Sequence, residues 1–568
     1  MGQHGAPGNS RHHSSNASTI RSTGGSVTPM NHAHSNDQQK SADLVVYGAT
    51  PGGIAAACTA ADRGMRVLLV SPDRHVGGHL TSGICTTECE HMLLVSFRGW
   101  MMKVLRLLGT MYGLDAPLHR FEPHRALEAF RTVIDEAGVT LLLGAHLESV
   151  TVESGVILGA LATTGEGTVQ LHAPLWIDAS YEGDLMAMAG VSYAVGRESV
   201  ATYNESLAGF RFIDTLAEVA NSKGHAERID HDWEIDLRRR TGGLIDGVIP
   251  AGEVSAIRGA GDGKVMNYHF RVTVTSAADR VPFPVPEDYS EERYELLARF
   301  LHAHPDTPLT MILAFLNHPS GQYRPGPDGF TAVTPGIKWE LNNLQGSILS
   351  LGYLGGQFAY PDGDRETRAA VIADHFSHNA GLLHFLGTSA SVPRALREEM
   401  QRWGLPPDEY TDNGHWPYQP YIREARRMMG QYVMTQRDIL EERFKTGTIY
   451  WNSHWIDCHH VQRIARDDHH FRNEGRIWKE LTEPYAVPYR ALVPRAEQCR
   501  NLIVPGCVSS SHVAFCSIRL ESSWMGLGEA AGEAAVLAHE RACPVQDVPV
   551  NELQRRLAID PGNPSVGK

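Results

Sequence analysis

The first strongly patterned stretch of the chain combines two short apolar runs with a glycine-rich turn and an alanine-rich segment. Residues 43–47 (DLVVY) form a β-rich apolar run, as expected for a buried parallel strand. Residues 48–53 (GATPGG) turn the chain, and residues 54–63 predict a helix that ends at Gly64. Residues 66–70 form a second apolar run. This order predicts a β-α-β unit.

The glycine-rich turn of this unit has the composition of a dinucleotide-binding turn. Such a turn holds a pyrophosphate against the N-terminus of the following helix. Gly48 allows the tight turn, and Gly53 lets helix and strand pack closely. Thr50 stands where the usual G-x-G-x-x-G pattern has its middle glycine. A purely structural turn is the alternative, but strand, turn and helix in this order favour a dinucleotide site.

The α/β pattern continues through the following hundred or so residues. Residues 126–137 predict an amphipathic helix that ends near Gly138. Strands are predicted at residues 139–143, 147–152, 156–162 and 174–179. The last strand runs into residues 180–184 (SYEGD), which in a doubly wound sheet would lie at the carboxyl edge, where ligands bind.

From about residue 206 to residue 481 the pattern is mixed, which predicts a second domain inserted into the first. Residues 266–275 are β-like, and residues 292–302 look helical. Residues 420–444 also predict a helix, with Pro420 at its start.

The chain returns to the first pattern near its C-terminus. Residues 502–504 have buried-strand character, and residues 522–539 predict a long helix crowded with Gly and Ala. These small residues would admit a flat ligand or another backbone, or would pack the helix tightly against the sheet. The predicted divisions are a disordered tail at 1–41, an α/β domain at 42–205 and 482–545, an inserted domain at 206–481 and a C-terminal tail at 546–568.

Composition and charge narrow the functional classes. The 568 residues carry a net charge of −14 and no long basic run, which argues against a nucleic-acid partner. No apolar run reaches the roughly 18 residues of a membrane helix. The eight cysteines include no C-x-x-C, and the close pair Cys85 and Cys89 has no second pair, so we predict no metal site. Sparse cysteines suit a reducing compartment, and we expect a cytoplasmic protein.

Six separated stretches carry a resemblance to a known family. They are VYGATPGGIAAA, HVGGHLTSG, IDASYEGDLMAMAGVSYAVGRES, YIREARRMMG, VPYRALVP and SHVAFCSIRLESSWMGLGEAAG. Together they resemble the FAD-dependent oxidoreductase family of glutathione-reductase-like flavoproteins, which is similar to the flavoprotein part of heterodisulfide reductase. The resemblance implies an α/β fold: a Rossmann-like, glutathione-reductase-like FAD-binding domain made of both chain ends, with an inserted α+β substrate domain.

The resemblance also implies FAD as the cofactor and a set of contacts to it. A helix opening around Gly528 would point its positive end at the flavin and stabilise negative charge on the reduced ring. Ser71 stands where the family usually has an acidic residue for the adenosine ribose, and Asp73 follows two residues later. The implied cofactor contacts are Gly48, Thr50, Pro51, Gly52, Gly53, Ser71, Gly77, Gly78, His79, Thr81, Asp178, Gly506, Gly528, Glu529 and Ala530.

Candidate catalytic residues lie in the shared motifs of the inserted domain and the C-terminal segment, and two of them, His512 and Arg519, flank the strand-to-helix crossover beside the predicted flavin. A histidine can accept a proton as hydride leaves the substrate, and an arginine can clamp a carboxylate or stabilise an oxyanion. The candidates are His512, Arg519, His459, Asp457, Arg423 and Tyr489. Structural roles are the alternatives: Arg423 would serve a solvated face or a structural pair, and Asp457 with His459 would be a hydrogen-bonded pair.

These features predict a dehydrogenase that takes hydride from a small polar organic substrate to flavin and passes electrons to an unknown acceptor. An FAD-dependent monooxygenase, an NAD(P)H-using reductase and a non-catalytic electron carrier are the alternatives. One convincing dinucleotide turn argues against a bound nicotinamide, and the large insertion argues against a carrier. The chain could form an oligomer. His79 would either hydrogen-bond near the cofactor or, as in related succinate dehydrogenase flavoproteins, carry the flavin covalently.

Overall fold

The computed structural model describes residues 38–87, 99–215, 218, 230–239, 242–254, 257–317, 323–326, 329–332 and 338–564. The helices in these residues are α1 (Pro51–Asp62), α2 (Gly99–Met111), α3 (Pro123–Ala137), α4 (Asp184–Met188), α5 (Val200–Tyr203), α6 (Glu295–Ala303), α7 (Arg365–Thr388), α8 (Arg394–Met400), α9 (Gln436–Leu440), α10 (His512–Ile518), α11 (Glu521–Arg541) and α12 (Val550–Arg556). None of these described helices combines the length and apolar character needed to cross a bilayer.

The strands of the described residues follow in the same chain order. They are β1 (Gln38–Ser41), β2 (Leu44–Tyr47), β3 (Val67–Ser71), β4 (Thr140–Leu143), β5 (His146–Glu153), β6 (Val156–Thr164), β7 (Gly167–His172), β8 (Leu175–Asp178), β9 (Tyr193–Val195), β10 (Trp233–Glu234), β11 (Val272–Thr275), β12 (Leu313–Asn317), β13 (Tyr323–Gly326), β14 (Gly329–Ala332), β15 (Lys338–Asn343), β16 (Arg426–Met428), β17 (Thr448–Asn452), β18 (Ile456–Cys458), β19 (Gln462–Ala465), β20 (His470–Glu474), β21 (Ile477–Lys479), β22 (Tyr485–Pro488) and β23 (Leu502–Ile503).

The predicted β-α-β unit lies in the middle of a parallel sheet. Strand β2 pairs in parallel with β3 and β8, and the sheet has the order β23-β8-β2-β3-β4. All residues of β2 are buried, as in strands that are covered on both faces. The carboxyl ends of β2, β3, β8 and β23 therefore meet at one edge, where α/β sheets bind ligands. The predicted α/β class with a parallel sheet is confirmed.

Helix α11 packs against α1 through small residues. A Cβ atom at Gly528 would lie 2.0 Å from the carbonyl oxygen of Gly52, and one at Gly532 would lie 2.4 Å from that of Ala56. Larger side chains at these positions would force the two helices apart. The sequence left open whether these small residues admit a ligand or another backbone. Close approach of the α1 backbone explains both Gly528 and Gly532.

A second sheet incorporates part of the predicted N-terminal tail. Strands β5, β6 and β7 are antiparallel, and β1 adds to β7 in parallel. The prediction of a disordered tail at 1–41 is therefore wrong for residues 38–41, and residues 1–37 lie outside the described residues. The sequence of β1 (QQKS) is polar, so its backbone bonds to β7, rather than its own apolar content, explain its order.

The inserted region builds a hydrophobic core of its own but also returns to the first one. Buried side chains of β11, β15, α6 and α7 form one cluster. Only residues 272–275 of the β-like stretch 266–275 form a strand. Side chains from β17, β18 and β22 instead join the core that contains α1 and α11. The chain thus re-enters the first core before residue 481.

The predicted helix at residues 420–444 is wrong. The segment contains only strand β16 and the short helix α9 in that range. Arg426 and Arg427 are buried in β16, where Arg426 pairs with Asp184 at 2.7 Å and Arg427 with Glu198 at 2.7 Å. Strand β16 pairs with β9. Tertiary ion pairs and strand pairing therefore override the helical propensity of this arginine-rich stretch.

The C-terminal segment is part of the fold rather than a tail. Residues 550–556 form α12, and Leu553, Leu557 and Ile559 are buried in the core that contains α1 and α11. The predicted boundary at residue 545 is therefore too early. Helix α12 was not predicted from the sequence because a helix of seven residues gives too short an apolar pattern to be identified.

Candidate active site

The turn between β2 and α1 is held by very close backbone contacts. A Cβ at Gly53 would lie 1.9 Å from the carbonyl oxygen of Gly48, which confirms that glycine is needed here for close packing. Thr50 caps α1: its Oγ1 accepts a hydrogen bond from the Gly53 N–H at 3.1 Å and donates one to the Ala179 carbonyl at 2.8 Å. Pro51 takes the first helical position. Thr50 therefore replaces the usual middle glycine with an N-cap.

The loop after β3 places further predicted cofactor residues at the same edge. Ser71 ends β3, and its Oγ accepts a hydrogen bond from the Asp73 N–H at 3.3 Å. Burial and the charge of Glu182 raise the pKa of the half-buried Asp73 carboxyl to about 7. Gly77 and Gly78 have φ values of 93° and 52°, which favour glycine. The hydroxyl of Thr81 donates to the carbonyls of Val76 and Gly78 and closes this loop.

Two more predicted cofactor residues meet where β8 and β23 end. Asp178 accepts hydrogen bonds from the Ser180 hydroxyl at 2.6 Å and from the Met186 N–H at 2.8 Å. Burial raises the pKa of Asp178 to about 6 against the effect of these bonds. A Cβ at Gly506 would lie 2.4 Å from the carbonyl oxygen of Ser180. Asp178 thus orders the turn at this edge.

Residues 528–530 lie within α11, not at its start. Helix α11 begins at Glu521, so the expectation that it opens around Gly528 is wrong. Gly528 faces α1, as described above, and Ala530 is buried in the core. The carboxylate of Glu529 accepts a hydrogen bond from the Trp100 N–H at the start of α2. The helix start was misplaced because the Gly and Ala run, not the preceding polar residues, dominates the pattern.

His79 is enclosed by groups that use both of its ring nitrogens. Nδ1 lies 2.8 Å from a carboxylate oxygen of Glu521, and Nε2 accepts a hydrogen bond from the Ile422 N–H at 3.2 Å. The ring stacks on Tyr181 at 3.8 Å between centroids, and the Tyr181 hydroxyl donates to Glu521 at 2.6 Å. A covalent bond to flavin would require one of these nitrogens to give up its partner, so the hydrogen-bonding alternative fits this placement better.

A cavity of about 1120 Å³ collects side chains from distant parts of the chain. Three of the predicted catalytic residues, Asp457, His459 and Arg519, line it. Among its described lining residues, the cationic side chains that accompany these are Arg120, Arg271 and Arg476. Arg271 and Glu340 are 1% exposed and form an ion pair, and Glu340 also accepts the Cys85 N–H at 3.0 Å.

Tyr421 lies on the wall of this cavity among three arginines. The guanidinium carbons of Arg423, Arg271 and Arg519 lie 4.7, 5.5 and 5.8 Å from its ring centroid. Arg519 also donates a hydrogen bond to the Tyr421 hydroxyl at 2.8 Å. Cations over an aromatic face are attracted by its quadrupole, so the ring helps to hold like charges close together. The arrangement gathers three cations around one ring, two of which have a carboxylate neighbour, Glu340 for Arg271 and Asp457 for Arg519.

Asp457 and His459 lie on the same wall, next to Arg519. A carboxylate oxygen of Asp457 is 3.5 Å from both His459 Nε2 and a guanidinium nitrogen of Arg519. Burial opposes ionisation of Asp457, but these neighbours hold its pKa well below the usual range. Burial and then the charge of Arg423 lower the pKa of His459 well below its usual value. We therefore take His459 as neutral and Arg519 as the cation that keeps Asp457 ionised.

Arg423 lies directly behind this wall and is fully buried. It donates hydrogen bonds to the Asn267 carbonyl at 2.6 Å and to His269 Nδ1 at 3.0 Å. Burial, together with the charges of Arg519 and Arg271, lowers the pKa of Arg423 to about 9, so it remains a cation near neutrality. Arg423 is therefore not on a solvated face, while its hydrogen bonds to Asn267 and His269 fit the alternative of a structural pair.

His512 and Tyr489 do not line the cavity. The His512 ring is enclosed by Glu424, whose carboxylate oxygens both lie 2.9 Å from Nδ1, and by the thiol of Cys458, 3.4 Å from Nε2. Burial lowers the pKa of His512, but Glu424 and Cys458 outweigh it and raise the pKa to about 10. Tyr489 is buried and donates to the Val545 carbonyl at 2.7 Å. Sequence reasoning placed His512 beside the predicted flavin because its motif follows the strand at residues 502–504, and selected Tyr489 only as part of a shared motif.

Sequence reasoning also missed residues that the cavity brings together. Tyr421 belongs to the quoted YIREARRMMG motif, but only its arginines were considered there. Arg271 interrupts the β-like stretch 266–275, and a charged residue inside a buried strand is a signal that could have been used. Glu340 and Arg476 carry no local signal, since their roles depend on partners far away in the chain.

Comparison with known proteins gives one extensive match and several partial ones. Residues 43–557 match a family described as FAD dependent oxidoreductase. Partly similar solved structures include L-proline dehydrogenase from P. horikoshii (13% identity, 29% of this chain and 25% of that chain, TM-score 0.18) and Thermovibrio ammonificans THI4 (16%, 27% and 63%, TM-score 0.20). The chain covers less than two thirds of each of these solved chains. No curated protein matches.

Proposed function

Because this chain belongs to the FAD dependent oxidoreductase family, we propose that it is a dehydrogenase that oxidises a small organic anion. The observation that carries the proposal is the cavity wall on which Arg519 and Tyr421 lie beside the Asp457–His459 pair. A positive wall can hold a carboxylate, and a neutral histidine next to it can accept a proton. When bound, FAD supplies a ring that accepts hydride.

The residues at the carboxyl edge of the sheet fit an FAD. In the part of the chain that the structure describes, the buried hydroxyls of Ser82, Ser522 and Ser523 have no hydrogen-bond partner. Ser522 and Ser523 lie in the first turn of α11, whose N–H groups have no acceptor within the helix. Buried polar groups without partners are rare, so a polar ligand that reaches them is favoured. The N-terminus of α1, with Gly52 and Gly53, would hold the pyrophosphate.

The finer arrangement of the FAD-binding part is also a proposal. A glutathione-reductase-like order is supported by the turn at residues 48–53, the Gly77-Gly78 loop and the return of the chain through β23. The further likeness to the flavoprotein part of heterodisulfide reductase rests on the quoted motifs alone. Ser71 and Asp73 together would take the place of the single acidic residue that holds the adenosine ribose.

The arginines would bind and orient the anionic group of the substrate. Arg519 already donates to Tyr421 and to the Asp457 carbonyl, so its side chain is fixed before a substrate arrives. A fixed guanidinium can bind a carboxylate through two parallel N–H groups without further loss of side-chain freedom. Arg423 would act from behind by adding positive charge to the wall.

His459 would accept the proton that leaves the substrate as hydride is transferred. Its pKa is held low in part by Arg423, and a bound anion would cancel some of that positive field. Substrate binding would thereby raise the basicity of His459 at the moment when a base is needed. Gln345 donates to Nε2 at 3.1 Å, and it would have to move aside for the substrate.

A substrate screen with matched pairs tests the proposal. FAD-loaded protein is mixed without oxygen with small hydroxy and amino acids and, in parallel, with their methyl esters, and flavin bleaching is followed. We expect an acid to reduce the flavin at least about 100-fold faster than its ester, since the ester lacks the charge that the arginines bind. Equal rates for both members of every pair would contradict an anionic substrate.

The electron acceptor is a separate part of the proposal. Reoxidation of the reduced protein by oxygen, NAD(P)⁺ and artificial acceptors distinguishes a dehydrogenase from the monooxygenase and reductase alternatives. We expect fast reoxidation by artificial acceptors and slow reoxidation by NAD(P)⁺, because the sequence contains one convincing dinucleotide turn. Fast flavin reduction by NAD(P)H without substrate would instead favour the reductase.

A further inference from the structure

Three buried side chains outside the cavity form a compact group of metal-ligand type. Cys458 comes from β18, while His512 and Cys516 are one turn apart on α10. His512 Nε2 lies 3.4 Å from the Cys458 sulfur and 3.8 Å from the Cys516 sulfur. The three ligand atoms all lie within 4.8 Å of one another, and the three residues are buried. Two thiols and one imidazole form a typical donor set for zinc.

The distances within this group suit a tetrahedral ion. With Zn–S bonds of about 2.3 Å and Zn–N bonds of about 2.0 Å, tetrahedral ligands lie about 3.5 Å apart for N and S and about 3.8 Å apart for two sulfurs. The observed separations from Nε2 differ from the first value by only a few tenths of an ångström. A Zn²⁺ ion would therefore fit between the three atoms with little movement of the backbone.

A carboxylate behind the histidine orients it for this role. Glu424 accepts the Nδ1–H of His512, with both oxygens at 2.9 Å, which directs Nε2 at the two sulfurs. Glu424 is itself held by Arg427 at 2.9 Å. Metal-binding histidines usually donate their other N–H to a carboxylate in this way, which fixes the tautomer.

We propose that Cys458, His512 and Cys516 bind one Zn²⁺, with the fourth coordination position taken by water. Binding leaves a neutral imidazole and two thiolates, so the group of three ligands releases two protons to solvent and the two thiolates balance the charge of the ion. Cys458 contacts His512 and does not line the cavity, while its neighbours Asp457 and His459 line it. The ion would therefore fasten β18 to α10 and hold the cavity wall in place, without contacting the substrate.

Metal analysis of the full chain, prepared without an affinity tag, tests the proposal. The protein is exposed to zinc, dialysed against a weak chelator, and its zinc and FAD contents are measured. We expect one Zn²⁺ per chain in the wild type and in Cys58→Ser, a buried cysteine outside the group, and at least about tenfold less in Cys458→Ser and Cys516→Ser. Retained FAD shows that a variant that loses zinc is still folded.

Two further measurements keep the test decisive if the serine variants fail to fold. Cys516→His preserves a ligand and should still bind one ion. Wild type loaded with Co²⁺ should show absorption typical of tetrahedral coordination at wavelengths beyond those of flavin, and Cys516→His should shift it. Absence of zinc and of this absorption in the wild type overturns the proposal. So does equal zinc in all variants, or a Cys458–Cys516 disulfide in protein handled without oxygen.

Discussion

The carboxyl edge of the parallel sheet and the wall of the cavity are built on different principles. At the edge, main-chain atoms approach so closely that a single Cβ atom would collide, as at Gly53 and Gly506. On the wall, long charged side chains such as Arg423 and Arg519 surround one aromatic ring, Tyr421. The edge should therefore be sensitive to the size of a substituted residue, and the wall to its charge. Four substitutions test this difference.

The largest effect is expected at the edge. In Gly53→Leu the new Cβ would lie 1.9 Å from the Gly48 carbonyl oxygen, so α1 cannot keep its place against β2. We expect the purified protein to contain no FAD, measured as flavin absorbance per polypeptide. Gly165→Leu is the control, since nothing lies within 4 Å of a Cβ there. A Gly53→Leu protein that remains fully loaded with FAD would show that close packing at Gly53 is not required for FAD binding.

Removing a charge from the wall should leave FAD bound and impair the reaction. Arg519→Met keeps most of the side-chain volume but loses the guanidinium that bonds Tyr421 and the Asp457 carbonyl. We expect flavin reduction by the best acidic substrate to slow by about 10²–10³-fold, with FAD content unchanged. Arg394→Met, which removes an exposed arginine, should have no effect. An equal loss of rate in both variants would contradict the idea that the charge of Arg519 acts on the substrate.

The pH dependence of the reaction should report the positive field directly. A base with a lowered pKa stays deprotonated in acid, so kcat/KM of the wild type should remain level as the pH falls through about 6.5, the ordinary histidine value. Arg423→Met removes the largest charge that lowers the pKa of His459, so its kcat/KM should begin to fall with acid at a higher pH. Identical acid limbs in the two proteins would exclude His459 as the base.

The smallest effect is expected for a hydrogen bond at the edge. Thr50→Val conserves shape but loses the N-cap to Gly53 and the bond to the Ala179 carbonyl. We expect the free energy of unfolding to fall by about 1 kcal/mol, with the reaction rate at saturating FAD unchanged. Thr132→Val, on the exposed face of α3, serves as the control for chemical denaturation. A change in rate without a change in stability would move Thr50 into the reaction itself.

The accuracy of the sequence predictions also differed between the two regions, because one is built from local contacts and the other from distant side chains. The β-α-β unit was predicted because the features that identify it are local. Its apolar strands, its glycine-rich turn and the glycine that ends its helix all lie within about thirty residues. The helix predicted at residues 420–444 failed because Arg426 and Arg427 have partners, Asp184 and Glu198, more than two hundred residues away. His512 was placed beside the cofactor because its motif follows β23, although its ring turns towards Glu424.

The sequence by itself determined the parallel sheet, its dinucleotide turn and the family, because strand period and backbone conformation at glycine depend on adjacent residues. Tertiary structure decided which polar side chains meet. Asp457, Cys458 and His459 are consecutive, yet Asp457 and His459 line the cavity and Cys458 contacts His512. The sequence alone does not show which face of β18 borders the cavity, because the elements packed on each face come from distant segments.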